Sequence, residues 1–273
     1  MDLIQLTKVA IKAAQSAGDV IQQYMNEDVI VKQKSGGSSY ASQIVTEVDQ
    51  ECEKVILSHL RPTCQKFDLA LLSEETEDDG SRLVKDFFWC IDPMDGTLAF
   101  INKRPGFAVS IALISKEGIP LIGIVYDPCT GTLYHAIKGH GAFKDEKPWK
   151  ILNTNDHLTY VTDRTLAATP QSDEILRILN EKVEFLKLEG IKEMAGAGSV
   201  MNGILVLENG PACMLKFPKK EKGGGSIWDF AAIACIYNEL GLVASNFDGD
   251  RLDLNREDDV FMNHEGVFFA NFM

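Results

Sequence analysis

The stretch "FFWCIDPMDGTLAF", residues 87–100, sets Asp92 and Asp95 three apart, after an apolar run and just before Gly96-Thr97. Carboxylates so placed have two uses: one attacks phosphorus and becomes an aspartyl-phosphate, or both hold a metal ion that lets water attack. Enzymes of the first kind carry the pattern D-x-D-G-T. Aligning "MDGT" with that pattern puts Pro93 where the nucleophile belongs, and proline has no nucleophilic side chain.

The metal alternative needs oxygen ligands that converge on one point, the donors that hard cations such as Mg²⁺ take. Pro93 turns the chain at a strand exit, so Asp92, Asp95 and the Met94 carbonyl can face one site. "LLSEET" supplies Glu74 and Glu75 at a second strand exit, and Asp229 stands in "SIWDFAA". Gly96 and Thr97 open a predicted helix whose first N–H groups suit a phosphate. Jointly these residues describe metal-assisted attack of water on a phosphate monoester, in which metals roughly 3.5–4 Å apart activate the water and neutralise the leaving oxygen. Each fragment alone has a plainer reading. Asp-Pro-x-Asp-Gly is a turn with an Asx cap, "SEETEDDG" is a solvated acidic loop, and the Asp of "IWD" is a charge that suits a helix N-terminus. Their joint occurrence favours the metal site.

The elements that must position these residues follow from periodicity and punctuation. Leu3, Leu6, Ala10, Ala13, Ala17, Ile21 and Tyr24 recur at helical spacing, so the start of the chain is a packed amphipathic helix and not a targeting segment. "VIVKQKSGGSSYASQIVTEVDQ" reads as a strand, a Gly/Ser-rich loop and a helix entry, and "DQECEKVILSHL" as a helix that stops before Pro62. "FAVSIALISKEGIPLIGIVYDPCTGTLYHAIKGHGAF" alternates β-rich runs with Gly, Pro and Asp and predicts an antiparallel meander. "SDEILRILNEKVEFL", "SVMNGILVLENG" and "SIWDFAAIACIYNELG" read as helices, and "NHEGVFFANFM" as a final strand in a second sheet. A change of character near residue 155 predicts an N-terminal α+β region over 1–155, with most of the ligands, and a C-terminal α/β region over 156–273 carrying a substrate loop and Asp229.

Composition narrows the partners. The 273 residues hold 40 Asp and Glu against 27 Lys and Arg, a formal charge of -13. Such a surface repels nucleic-acid polymers and anionic membranes, so neither is expected as a partner, and no apolar run is long enough to span a bilayer. The six cysteines are scattered without C-x-x-C, which predicts reduced thiols and a cytoplasmic protein. The five histidines (His59, His135, His140, His157, His264) have no ligand spacing and are read as surface or loop residues.

"VTEVD", "SEE", "WCIDPMDGTLAF", "FAVSIALI", "GIVYDP", "GAGS" and "IWDFAA", in that order along most of the chain, resemble the inositol monophosphatase family, within the lithium-sensitive phosphatases that also include 3'(2'),5'-bisphosphate nucleotidases and fructose-1,6-bisphosphatases. The resemblance implies an α/β (α+β) fold, a layered α/β/α/β/α sandwich, and two or three Mg²⁺ ions. It implies that Glu74, Asp92, Asp95 and Asp229, with the Met94 carbonyl, bind the metal. Thr97 would orient the attacking water and Asp49 of "VTEVD" would accept its proton, while Glu74 serves both catalysis and the metal. The Gly96 and Thr97 amides would hold the phosphate, with Gly198 and Ser199 of "GAGS" beside the substrate. Glu75 would sit behind the ligands. The family includes monomers and homodimers.

Substrate choice divides the family. Where inositol monophosphatases carry a Glu for the inositol hydroxyls, "ACMLKFPKKEKGGGSIWD" places Lys216 at or near that position in a longer segment. A cation there suits a second phosphate. Together with "LSEE" and "GGSIWD", this leans to the 3'-phosphate of adenosine 3',5'-bisphosphate. "GIVYDPCTGTLYHAIKGHGAF" looks equally like the inositol enzymes, so inositol monophosphate is the alternative, and an exposed loop made soluble by lysines is the plain reading of Lys216, Lys219, Lys220 and Lys222. A non-catalytic regulatory protein that binds metal or phosphate is the alternative of another class. The Asp49 and Thr97 pair argues against it, because a pure binder has no need to activate water.

Overall fold

The computed structural model describes residues 1–25, 27, 31–33 and 44–272. The predicted Gly/Ser-rich loop after the first strand lies outside the described residues.

The chain opens with α1 (Leu3–Tyr24), which buries Leu6, Ala10, Ala13, Ala17 and Ile21 as the spacing predicts. Its partner is α2 (Glu47–Phe67), entered from a two-stranded pair, β1 (Val31–Gln33) and β2 (Ile44–Thr46). The sequence predicts that this helix stops before Pro62; it continues one and a half turns beyond. Proline removes one helical hydrogen bond and costs about 3 kcal/mol in a helix interior. Here the following turn is held by packing: Leu60 and Thr63 are buried, and Thr63 Oγ1 accepts from Trp89 Nε1 at 2.9 Å. The helix ends only where Asp68 takes a left-handed conformation.

A seven-stranded sheet follows, built in chain order from β3 (Ala70–Ser73), β4 (Phe87–Asp95), β5 (Ala108–Ser115), β6 (Pro120–Asp127), β7 (Thr132–Ile137), β8 (Gly141–Lys144) and β9 (Lys147–Pro148), with α3 (Thr97–Ile101) between β4 and β5. β3 and β4 run parallel and the rest form the predicted antiparallel meander. A second sheet has the order β11-β10-β12-β14-β13, from β10 (Leu158–Thr162), β11 (Ile191–Ala195), β12 (Ala212–Lys216), β13 (Val243–Ser245) and β14 (Val267–Ala270). The remaining helices are α4 (Ser172–Leu186), α5 (Ser199–Glu208) and α6 (Ile227–Leu240).

Strand alternation sorts the side chains into layers. Trp89, Ile91, Val109, Ile111 and Leu113 pack with α1 and α2 on one face of the large sheet. Phe88, Cys90, Ala108, Ala112 and Ile114 pack on the other face with α5 and α6 and with Met214 and Phe269 of the second sheet. Cys213, Leu215 and Ala270 point the opposite way, to Ile175 and Leu179 of α4. The order of layers is therefore α1–α2, sheet, α5–α6, sheet, α4, the five-layered sandwich that the resemblance implies. The expectation for the histidines needs one correction. His135 lies inside β7, 8% exposed and stacked on Phe143 at 4.9 Å, because its position on the strand alternates with residues that face the other way.

Candidate active site

On a regular strand, residues three apart point to opposite faces. Asp92 and Asp95 escape this rule because the pairing of β4 with β5 slips between them: Asp92 faces Ser110 and Asp95 faces Ala108, so two residues, Pro93 and Met94, stand opposite one. The extra residue of this bulge changes the parity and brings both carboxylates to the α5–α6 side. Proline suits the position because it has no N–H to give the ladder. Met94 N–H turns back to Asp92 Oδ1 at 3.1 Å and fixes the corner.

Two helix starts meet this corner. Ser199 N–H and Val200 N–H, in the first turn of α5, donate to Asp95 at 3.2 and 2.8 Å. Asp229 is the third residue of α6 and closes a capping box with Ser226, whose backbone N–H it receives. Asp92, Asp95 and Asp229 thus bring one carboxylate oxygen each within 4.8 Å of one another. Glu74 enters from the end of β3, its backbone N–H donating to Ile91 O at 3.1 Å, and lines the same cleft. Burial, helped by the negative charge of Asp229, pushes Asp95 far above the ordinary carboxylate range; burial, then Glu74, pushes Asp229 up to about 6. Buried carboxylates this close are stable only if they share protons or a cation. The donor set consists of hard oxygens, which fits Mg²⁺.

Asp49 approaches from the opposite layer. It is the third residue of α2, in a capping box in which its Oδ2 accepts from Thr46 N–H and Oγ1, each at 2.6 Å. Its other oxygen accepts from Thr97 Oγ1 at 3.1 Å, and Thr97 also reaches the Met94 carbonyl at 3.3 Å. Burial pushes Asp49 up to about 6 against the pull of these hydrogen bonds.

Gly96 has φ of 87°, and a Cβ there would stand 2.5 Å from Gly106 O, so only glycine lets α3 begin at this corner. Gly198 is needed for a different reason. A Cβ on it would run into the Asp95 carboxylate and Gly96 Cα. α3 is a helix of five residues.

Glu74, Asp92, Met94, Asp95, Gly96, Thr97, Gly198, Ser199, Lys216 and Asp229 all line one cleft of about 800 Å³. Asp49 stands behind Thr97, and Glu75, half-buried, does not line the cleft. Lys216 is not part of an exposed loop. It ends β12 and its ammonium reaches Asp163 Oδ2 at 2.7 Å and Ser199 Oγ at 2.8 Å, whereas Lys219, Lys220 and Lys222 are exposed.

Residues 2–270 match the inositol monophosphatase family. The chain belongs to that family. Inositol monophosphatase 3 of Solanum lycopersicum is 30% identical over 92% of this chain and 89% of its own length. Inositol-1-monophosphatase of Bacillus subtilis (strain 168) is 27% identical over 90% of this chain and 87% of its own. CysQ of Bacteroides thetaiotaomicron, described as a bacterial member of the inositol monophosphatase family, superposes with a TM-score of 0.75, at 25% identity and 98% coverage of both chains. As a member of the inositol monophosphatase family the protein is a phosphoric monoester hydrolase, and Mg²⁺ is the family's metal. Among the described residues no helix is long and apolar enough to cross a membrane.

Sequence reasoning missed Asp163, Arg104 and Arg164, which also line the cleft of this inositol monophosphatase family member. For Asp163 the signal was present: "LTYVTD" is one more β-rich run that ends in a carboxylate, the design already noted at Glu74 and Asp92. Arg104 and Arg164 lie in exposed loops and carry no pattern.

Proposed function

We propose that this inositol monophosphatase family member hydrolyses a phosphate monoester that bears a second anionic group, with the 3'-phosphate of adenosine 3',5'-bisphosphate as its substrate. The observation that carries this reading is the cleft. It reaches well beyond the carboxylate corner to about 800 Å³, the size of a site for a drug-sized or nucleotide-sized ligand. Arg104, Arg164 and Lys219 line it, and so do the apolar Phe217 and Phe261. A six-carbon ring with one phosphate leaves most of that space unused, while a nucleotide places a second phosphate among the arginines.

In this reading Glu74, Asp92, Asp95, Asp229 and the Met94 carbonyl would hold Mg²⁺, which would supply positive charge to the phosphate oxygens and lower the pKa of the attacking water. The protein's own residues set the geometry. The Gly96 and Thr97 amides, at the start of α3, receive a phosphate oxygen, while Gly198 and Ser199 wall the opposite side. Water lying against Thr97 Oγ1 gives a proton to that oxygen as the Thr97 proton passes to Asp49 Oδ1. The hydroxide oxygen left from that water then bonds to phosphorus in line with the ester oxygen, the P–O ester bond breaks, and the departing alkoxide takes a proton from solvent to leave as the alcohol, while Asp49 returns its proton to solvent. The burial that raises Asp49 to about 6 suits a base working near neutrality.

Inositol monophosphate is the second reading, favoured by the names of the relatives at 27 and 30% identity. Turnover of adenosine 3',5'-bisphosphate and of inositol 1-phosphate, compared as kcat/KM at saturating Mg²⁺, separates the two. A higher value for the bisphosphate is expected, and a preference of about tenfold or more for inositol 1-phosphate, some 1.4 kcal/mol in transition-state binding, overturns the choice.

A further inference from the structure

Lys216 brings a cation into a centre otherwise built to attract one. Its Nζ lies 2.7 Å from Asp163 Oδ2 and 2.8 Å from Ser199 Oγ, with the Phe230 ring beneath it at 5.6 Å. Asp163 is itself held by Asn202 Nδ2 at 2.7 Å. Ser199 connects the ammonium to the metal corner, since the residue that accepts from Lys216 through Oγ donates to Asp95 through its N–H at 3.2 Å. With the side chain only 20% exposed, water screens the interaction weakly.

A fixed positive charge beside a metal site has two consequences of opposite sign. It repels a divalent cation, and it attracts the phosphate dianion that must enter the same cleft. We propose that Lys216, tethered by Asp163 and Ser199, is a positioning residue that sets the affinity of the carboxylate centre for Mg²⁺: it weakens binding of the ion alone and strengthens binding of phosphate, so that metal and substrate bind together. Asp163 sets the size of the effect by neutralising part of the ammonium's charge.

This inference rests on the reading of Asp95 and Asp229 as metal ligands, and the test keeps the two apart. MgCl₂ is titrated into the whole protein by calorimetry and by thermal melts at rising MgCl₂; inorganic phosphate is then titrated at saturating MgCl₂. Lys216→Met, which keeps the length of the stem, is expected to bind Mg²⁺ about threefold tighter or more and phosphate more weakly. Asp163→Asn, which leaves the ammonium without its counter-charge, is expected to move both affinities the other way, and Lys216→Arg is expected to resemble the wild type. A merely structural role for the pair would weaken Mg²⁺ binding in both Lys216→Met and Asp163→Asn, and that result, or unchanged Mg²⁺ affinity in both, overturns the proposal. Asp95→Asn that binds Mg²⁺ as the wild type does overturns the metal site itself and the role of Lys216 with it.

Discussion

Thr97 Oγ1 donates to Asp49 Oδ1 over 3.1 Å and so joins the first turn of α3 to the first turn of α2, 48 positions apart in the chain. The two residues arrive from different layers. Asp49 is anchored by the capping box of a helix outside the large sheet, and Thr97 by the turn that ends β4. The contact therefore ties the packing of α2 to the chemistry at Asp95.

If Thr97 and Asp49 form one proton path, removing either member should do most of the damage. Asp49→Asn and Thr97→Ala are each expected to lower kcat on the order of 10²–10⁴-fold, the usual contribution of a positioned base, with Mg²⁺ affinity retained. The double variant should be little worse than the more damaged single one. Steady-state kinetics on all three checks this, and multiplicative losses would show two independent roles.

Gly198→Ala tests the packing behind the metal corner. The new Cβ meets the Asp95 carboxylate and Gly96 Cα, neither the loose end of a long side chain, so the backbone must shift. A loss of about 1–3 kcal/mol in stability is expected, together with weaker Mg²⁺ binding as Asp95 is displaced. An unaltered melt and an unaltered Mg²⁺ titration would mean that the corner is more compliant than its contacts indicate.

Arg82 is only 2% exposed and binds Asp78 Oδ2, Asn255 Oδ1 and Arg256 O, each at 2.7 Å, so it ties the acidic loop after β3 to the segment before β14. Arg82→Met should destabilise the protein by about 3–5 kcal/mol, because it leaves these partners without their donor. Chemical denaturation measures the loss. Turnover per folded molecule should change little, since Arg82 does not line the cleft.

His135 gives a pH dependence of definite sign. Burial holds its pKa below the ordinary value, partly opposed by Glu146, and Nδ1 has no hydrogen-bond partner among the described residues. The unfolded chain thus binds a proton near pH 6.5 while the folded protein still resists it. Stability attributable to the neutral ring is complete above about pH 6.5 and falls as pH drops below that value toward the folded pKa. Replacing His135 by Phe should flatten the slope of unfolding free energy below about pH 6.5, and an equal slope in both proteins would refute the assignment.

Much of the fold was legible because its signals are local. The 3.6-residue period of α1, the alternation along β5 and β6, and Asp229 at a helix start all follow from short windows of sequence. The stop placed before Pro62 failed because the hydrogen bond from Trp89 to Thr63 and the burial of that turn come from a strand more than twenty residues away. His135 reads as a surface or loop residue because one histidine in an apolar strand carries no sign of which face it takes. Arg104 and Arg164 carry no local signal for a related reason: their loops meet at the cleft only after the second sheet packs on the first.

By itself the sequence determined the inventory of the site, because residue type decides what a side chain can do: hard oxygens for a metal, a hydroxyl and a carboxylate for a proton, and no nucleophile at Pro93. Tertiary structure alone decided the arrangement. The slip between Asp92 and Asp95 turns both carboxylates to one face, a matter of strand parity that depends on the partner strand β5. The packing of α5 and α6 between the sheets brings Asp229 to the same corner, and the end of β12 brings Lys216 to Ser199 beside it. Burial then gives these charges their strength, since the dielectric around a carboxylate is set by everything packed against it and by nothing in its own stretch of chain.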